Sequence, residues 1–311
     1  MIASISKTKE ILNKYNIQAK KNYGQNFLVD GNVVKKILNI AGVDKETTVI
    51  EIGPGLGSMT ELLAKDAKKV ICFEIDHDMV NILNNELNFD NITIVEKDFL
   101  KINLKEHIKD NGRVIVVSNL PYYITTPIMT KLLNEEIINE IYVMVQDEVA
   151  ARLVAEKGSK DYGSLSVLIK YYSIAKYEFK VSRNCFYPMP HVDSAIISMR
   201  KEKKDYNLDN EAKFLKFVQD IFSMRRKTLL NNICNKYVIE KSIAETKLKE
   251  IGLDAAIRSE ELDINQIVSL YKSFSIWNKR IIPFIFYAFF DFIIMIWYNL
   301  KKGKNKYELY K

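Results

Sequence analysis

Between residues 32 and 180, short apolar runs of strand character alternate with stretches whose apolar residues recur at helical spacing. TVIEIG (48–53), KVICFEID (69–76), NITIVEKD (91–98) and RVIVVSN (113–119) are strand runs. VVKKILNIAG (33–42), MTELLAKDA (59–67), MVNILNNEL (79–87) and PIMTKLLNE (127–135) have the helical period. This alternation predicts a doubly wound α/β sheet with helices on both faces. The ligand of such a sheet sits beyond the carboxyl ends of its strands. EIYVMVQDEV (140–149) reads as a strand running into a helix. LSVLIKYYSIAKYEFKVS (165–182) and HVDSAIISMRK (191–201) supply the last strands, with a helix before or within the first.

The polar run KEKKDYNLDNEA (201–212) marks a linker, and short amphipathic helices follow it. The expected organisation is a sheet domain over 1–205, a small C-terminal helical domain over 206–276 and an apolar, basic tail over 277–311. The formal charge of +7 points weakly to an anionic partner, because residues 279–311 alone hold seven basic residues against two acids. Cys72, Cys185 and Cys234 form no CxxC pair, and three histidines are scattered, so no zinc or other metal site and no disulfide framework is expected. The N-terminus lacks the apolar core of a secretory signal, and a cytoplasmic location is expected.

IEIGPGLGSMT (50–60) joins a strand to a helix through Gly53, Gly55 and Gly57. The spacing G-x-G-x-G differs from the dinucleotide fingerprint, and no Lys-Ser/Thr follows as in a P-loop. Glu74 ends the next strand, where a carboxylate can accept ribose hydroxyls. Asp98 ends the strand after that, placed to meet an adenine amino group. Each acid alone reads equally as a solvated strand end. Together the three strand ends point to an adenosine without a triphosphate, such as S-adenosylmethionine.

SNLPYYITTP (118–127) then sets an amide, a proline and an aromatic ring at the mouth of a strand. Methylating the amino group of adenine requires its delocalised lone pair to be drawn out and aimed. The Asn119 amide oxygen and the Leu120 carbonyl can each accept one N–H of that group. Pro121 stiffens the turn, and Tyr122 offers a face on which an extruded base stacks. The competing reading is a strand-end turn stabilised by proline.

IEIGPGLG, CFEID, EKDF and SNLPYYITTPI together resemble the ribosomal RNA adenine N6-dimethyltransferases. KKNYGQNFLVD (20–30) also matches, in a segment that covers the cofactor in that family. CFYPMPHVDSAII (185–197), IFSMRRKTLLNN (221–232) and the helical region resemble the housekeeping small-subunit branch. His191 departs from the lysine usual there. The resemblance implies a methyltransferase sheet using S-adenosylmethionine. It implies that Asn26, Leu28, Gly53, Gly55, Glu74, Asp98 and Asn119 line the cofactor site, and that Tyr122 and Phe186 sandwich the target base. With RNA implied, Arg225, Arg226 and Lys227, read as lying on a helix start, become candidate phosphate contacts, and Lys20 and Lys21 weaker ones.

The expected activity is dimethylation of two adjacent adenosines near the 3′ end of small-subunit 16S ribosomal RNA, by a monomer acting on the small ribosomal subunit. The rivals are a macrolide-resistance enzyme acting on 23S RNA and an assembly factor whose main role is RNA binding. Finally, IIPFIFYAFFDFIIMIWYNL (281–300) is long enough to cross a bilayer, but it carries Asp291 and Pro283 and lies beyond the resemblance. An extension without function is the favoured expectation; a membrane anchor and an apolar helix packed on the small domain are the alternatives.

Overall fold

The computed structural model describes residues 1–20, 24–109, 112–202 and 204–274. The chain divides into two compact units, the first ending at Asp205 and the second beginning at Tyr206. The first opens with helix α1 (Ile5–Lys14), a two-residue strand β1 (Phe27–Leu28) and helix α2 (Gly31–Ala41). Asp30 caps α2 by accepting from the amides of Asn32 and Val33, and Gly42 at φ 56° ends it in the left-handed conformation.

The sheet follows: β2 (Thr48–Ile52), α3 (Thr60–Asp66), β3 (Lys69–Glu74), α4 (His77–Glu86), β4 (Ile92–Glu96), β5 (Val114–Asn119), α5 (Thr125–Asn134) and β6 (Glu140–Gln146). Then come α6 (Asp147–Leu153), α7 (Ser164–Tyr172), β7 (Ser173–Val181), the short β8 (Phe186–Tyr187) and β9 (Ser194–Lys201). Seven strands pair in the order β4-β3-β2-β5-β6-β9-β7. β2 to β6 run parallel, and β9 pairs antiparallel with both β6 and β7. Every residue of β2 is buried. So is every residue of β5 before Asn119, as expected of strands covered on both faces. The edge strand β4 is only partly covered.

The expected doubly wound sheet is therefore present. Its final arrangement is not chain order: β9, last in sequence, lies between β6 and β7. A second, two-stranded sheet pairs β1 with β8 antiparallel, setting Phe27 opposite Tyr187 and Leu28 opposite Phe186.

The second unit holds α8 (Glu211–Ile221), α9 (Leu229–Tyr237), α10 (Lys241–Glu250) and a helical segment over 264–274. Its core gathers Phe214, Phe217 and Tyr271, with Phe214 and Tyr271 edge to face, centroids 5.5 Å apart. Among the described residues no helix is long and apolar enough to cross a membrane. The tail over 277–311, including the apolar stretch 281–300, lies outside the described residues, as does Lys21.

Candidate active site

From β2 the chain winds outward through β3 to β4, then crosses back to β5 and β6 on the other side of β2. That reversal opens a crevice at the carboxyl ends of β2 and β5. A cavity of about 330 Å³ occupies it. Asn26, Leu28, Gly53, Gly55, Glu74 and Asp98 line it, and so do Asn119, Leu120 and Tyr122.

The three glycines have positive φ, at 64°, 58° and 86° for Gly53, Gly55 and Gly57. Their tasks differ. A Cβ on Gly53 would stand 3.7 Å from the Pro121 ring, and one on Gly55 would stand 3.2 Å from the Phe27 ring. These two let the backbone approach the walls of the cavity. A Cβ on Gly57 would meet Leu83 and Leu87 at 3.0 Å, so this glycine seats the turn against α4 and the residues that follow it.

Glu74 is buried, and its carboxylate ties the strand end to the glycine turn. Oε1 accepts from the amides of Ile75 (2.8 Å) and Asp76 (2.9 Å), and Oε2 accepts from Gly55 N at 3.2 Å. Burial holds its pKa above the ordinary value despite these amides. A carboxylate has about four lone-pair sites. One stays open for a ligand hydroxyl, and a second opens if the ligand replaces the longer Gly55 contact. Asp98 caps a 3-10 turn over Phe99–Lys101 by accepting from Leu100 N at 3.0 Å, and its other oxygen stands 3.7 Å from Lys101 Nζ.

Asn119 closes β5. Its Nδ2 donates to the Asn26 carbonyl at 3.4 Å, which leaves Oδ1 as the remaining acceptor. That oxygen is buried and has no hydrogen-bond partner. Beyond it, Leu120 N donates to the Met144 carbonyl at 3.0 Å and holds the turn to β6. Tyr122 begins a 3-10 turn, Tyr122–Ile124, braced by Thr125 Oγ1, which donates to the carbonyls of Pro121 (3.1 Å) and Tyr122 (3.3 Å). The Tyr122 hydroxyl lies 2.9 Å from Ser194 Oγ at the start of β9, and burial raises its pKa. Both ends of the Tyr122 side chain are thus fixed.

The structure places three groups of candidate residues differently from the local sequence pattern. Phe186 does not line the cavity. It is 3 % exposed, sits in the β1–β8 pairing and packs in the core with Leu28, Val181 and Ile196. Lys20 is engaged with carboxylates: its Nζ lies 2.7 Å from Asp76 and 2.6 Å from Asp78, and these bonds raise its pKa. A phosphate would have to displace them. Arg225, Arg226 and Lys227 are exposed, but they lie in the turn between α8 and α9 rather than on a helix; α9 begins after its cap, Thr228.

Several cavity residues were not anticipated from the sequence. Gln25 donates to Asp76 at 2.8 Å and accepts from Lys20 N at 2.8 Å, anchoring the segment that leads into β1. Ile75, half exposed beside Glu74, and Tyr123, beside Tyr122, also line the cavity. Glu51 is the most perturbed. It is buried in β2, where Thr60 Oγ1 donates to it at 2.7 Å and the Cys72 thiol at 3.9 Å. Burial, with the Glu74 charge nearby, pushes its pKa up to about 8, so it carries a proton at neutral pH. The one signal for it was an acid inside the apolar run TVIEI. Among the described residues, no cluster of His, Cys, Asp or Glu could hold a metal ion.

The sheet order, the crevice at the reversal and the strand-end acids define an S-adenosylmethionine-dependent methyltransferase fold. Comparison with known proteins narrows the class. The ribosomal RNA adenine dimethylase family profile matches residues 16–275. The Ribosomal RNA small subunit methyltransferase A of Staphylococcus aureus (strain JH9) is 42% identical over 281 residues, covering 87% of this chain and 95% of its own. Among solved structures, a dimethyladenosine transferase from Plasmodium falciparum has a TM-score of 0.67 at 24% identity, covering 78% of this chain and 95% of that one. The 23S rRNA methyltransferase ErmE has a TM-score of 0.59 at 26% identity, covering 80% and 99%. This chain belongs to the ribosomal RNA adenine dimethylase family.

Proposed function

We propose that this protein is the housekeeping enzyme that dimethylates two adjacent adenosines near the 3′ end of 16S ribosomal RNA at N6, during small-subunit biogenesis. S-adenosylmethionine supplies an electrophilic methyl group when bound. Four methyl transfers complete one RNA. The observation that carries this reading is the buried, unpartnered Oδ1 of Asn119 between the glycine turn and Tyr122. A buried acceptor without a donor costs about 1–3 kcal/mol, and a fold retains that cost where an incoming donor removes it. The amino group of adenine is such a donor.

The chain's own groups then divide the work. Asn119 Oδ1 accepts one N–H of the amino group, and the Leu120 carbonyl is placed one residue on to accept a second. Both draw the nitrogen lone pair away from the ring. Tyr122, fixed by Ser194, offers the stacking face. Glu74 and Asp98 hold the adenosine part of the cofactor, with Asn26, Leu28, Gly53 and Gly55 as the walls around it. Asn119 is uncharged, so it also tolerates a monomethylated amino group turned to present its remaining N–H. The second unit is the proposed RNA-binding domain, with Arg225, Arg226 and Lys227 as phosphate contacts, and a cytoplasmic monomer is the expected working form.

The 42% identity to a small-subunit enzyme favours this branch over the 23S-directed resistance enzymes. The test is incubation of the purified protein with labelled S-adenosylmethionine and, in parallel, undermethylated small subunits or unmodified 23S RNA, followed by mapping of the modified adenines. Two adjacent dimethyladenosines in small-subunit RNA are expected. Label in large-subunit RNA instead would overturn the assignment, and binding without label would favour the assembly-factor reading.

A further inference from the structure

The 3-10 turn that presents Tyr122 also presents Tyr123, and the two rings differ in exposure. Tyr122 is held by Ser194 and partly buried. Tyr123 is 58% exposed, although its ring lines the same cavity. On one side the chain comes close: a Cβ built on Gly24 would stand 3.7 Å from Tyr123 Cδ1, and Gly24 holds φ +60° there. The ring therefore stands at the mouth of the cavity, partly backed by main chain and partly open to water. Consecutive residues lie 3.8 Å apart at Cα, so two aromatic side chains this close in sequence can serve two successive nucleotides. Extruding one adenosine removes a stacking partner from its neighbour, and an exposed aromatic ring replaces that partner without reading sequence.

Resting on the dimethylase reading above, we infer that Tyr123 is the stacking platform for the base next to the one in the cavity, which for this substrate is the other adenosine of the pair. The waiting base is thereby held beside the cavity while the first is methylated.

The test uses the full chain, S-adenosylhomocysteine and undermethylated small subunits whose 3′ segment carries 2-aminopurine at either adenosine of the pair. Fluorescence quenching reports stacking at each position. Wild type and Tyr123→Phe are expected to quench at both positions. Tyr123→Ala should keep quenching at the base in the cavity and lose it at the neighbour, with RNA affinity about 5- to 150-fold weaker. Circular dichroism and thermal unfolding verify that Tyr123→Ala is folded. Neighbour quenching that survives in folded Tyr123→Ala overturns the inference, as does a wild-type protein that quenches only at the base in the cavity. Absence of quenching at both positions in wild type counts against the dimethylase reading itself, and the inference falls with it.

Discussion

Replacing Asn119 by leucine should raise or preserve stability while removing activity, and that opposition distinguishes a functional amide from a structural one. The buried Oδ1 has no partner, so the folded protein bears its desolvation, about 1–3 kcal/mol. Leucine removes that cost at similar volume. It also removes the Nδ2 bond to the Asn26 carbonyl, a long contact at 3.4 Å that contributes about 0.5–1.5 kcal/mol at most. The balance lies between about −0.5 and about 2.5 kcal/mol in favour of the variant. For a domain of this size 1 kcal/mol moves the melting temperature by about 2–4 °C, so Tm should fall by no more than about 2 °C and rise by up to about 10 °C. Catalysis responds the other way. A preorganised hydrogen-bonding group at the reacting atom is worth about 10²–10³ in kcat, so methyl transfer should fall by that factor. RNA binding should stay near wild type, because phosphate contacts supply most of the affinity. Thermal unfolding, filter binding and label incorporation into undermethylated small subunits read the three quantities. A Tm lowered by more than about 4 °C, or methyl transfer within tenfold of wild type, would refute the reasoning.

The sheet was legible because its central strands are buried on both faces, so β2, β3 and β5 are written as nearly continuous apolar runs with helical periods between them. The glycine turn and the acids Glu74 and Asp98 were legible for a related reason: a strand end fixes the place of a residue whatever the rest of the chain does. The insertion of β9 between β6 and β7 was not, because strand neighbours are chosen by packing and leave little trace in local pattern. The fate of Lys20 depends on Asp76 and Asp78 at the start of α4, far along the chain. Lys20 read locally looks like an RNA contact; the fold pairs it with two carboxylates. Glu51 reads as one polar residue in a strand, and its raised pKa exists only once Thr60, Cys72 and Glu74 have converged around it.

Glu74→Ala should weaken S-adenosylhomocysteine binding in calorimetry and leave RNA affinity unchanged; equal cofactor affinity would remove Glu74 from the site. A chain ending at Phe274 should remain soluble and active, because the family match ends at residue 275; membrane association of the full chain alone, seen by fractionation, would instead assign an anchor to 281–300. The Glu51 carboxyl is raised from 4.5 to about 8, so the folded state keeps a proton that the unfolded chain releases. Stability should therefore fall as pH rises from about 4.5 to about 8, and Glu51→Gln should flatten that slope in thermal melts; an unchanged slope would place the titration elsewhere. Phe186 separates packing from stacking. At 3 % exposure within the core around Leu28, its replacement by leucine should cost about 1–3 kcal/mol of stability. Activity per folded molecule should then stay within a few-fold of wild type, because the ring does not line the cavity. If Phe186 instead closes over the target base during the reaction, the pattern reverses: stability changes little and kcat falls steeply. Measuring Tm and kcat on the same preparation decides between them, and a steep loss of kcat at unchanged Tm would return Phe186 to the base site.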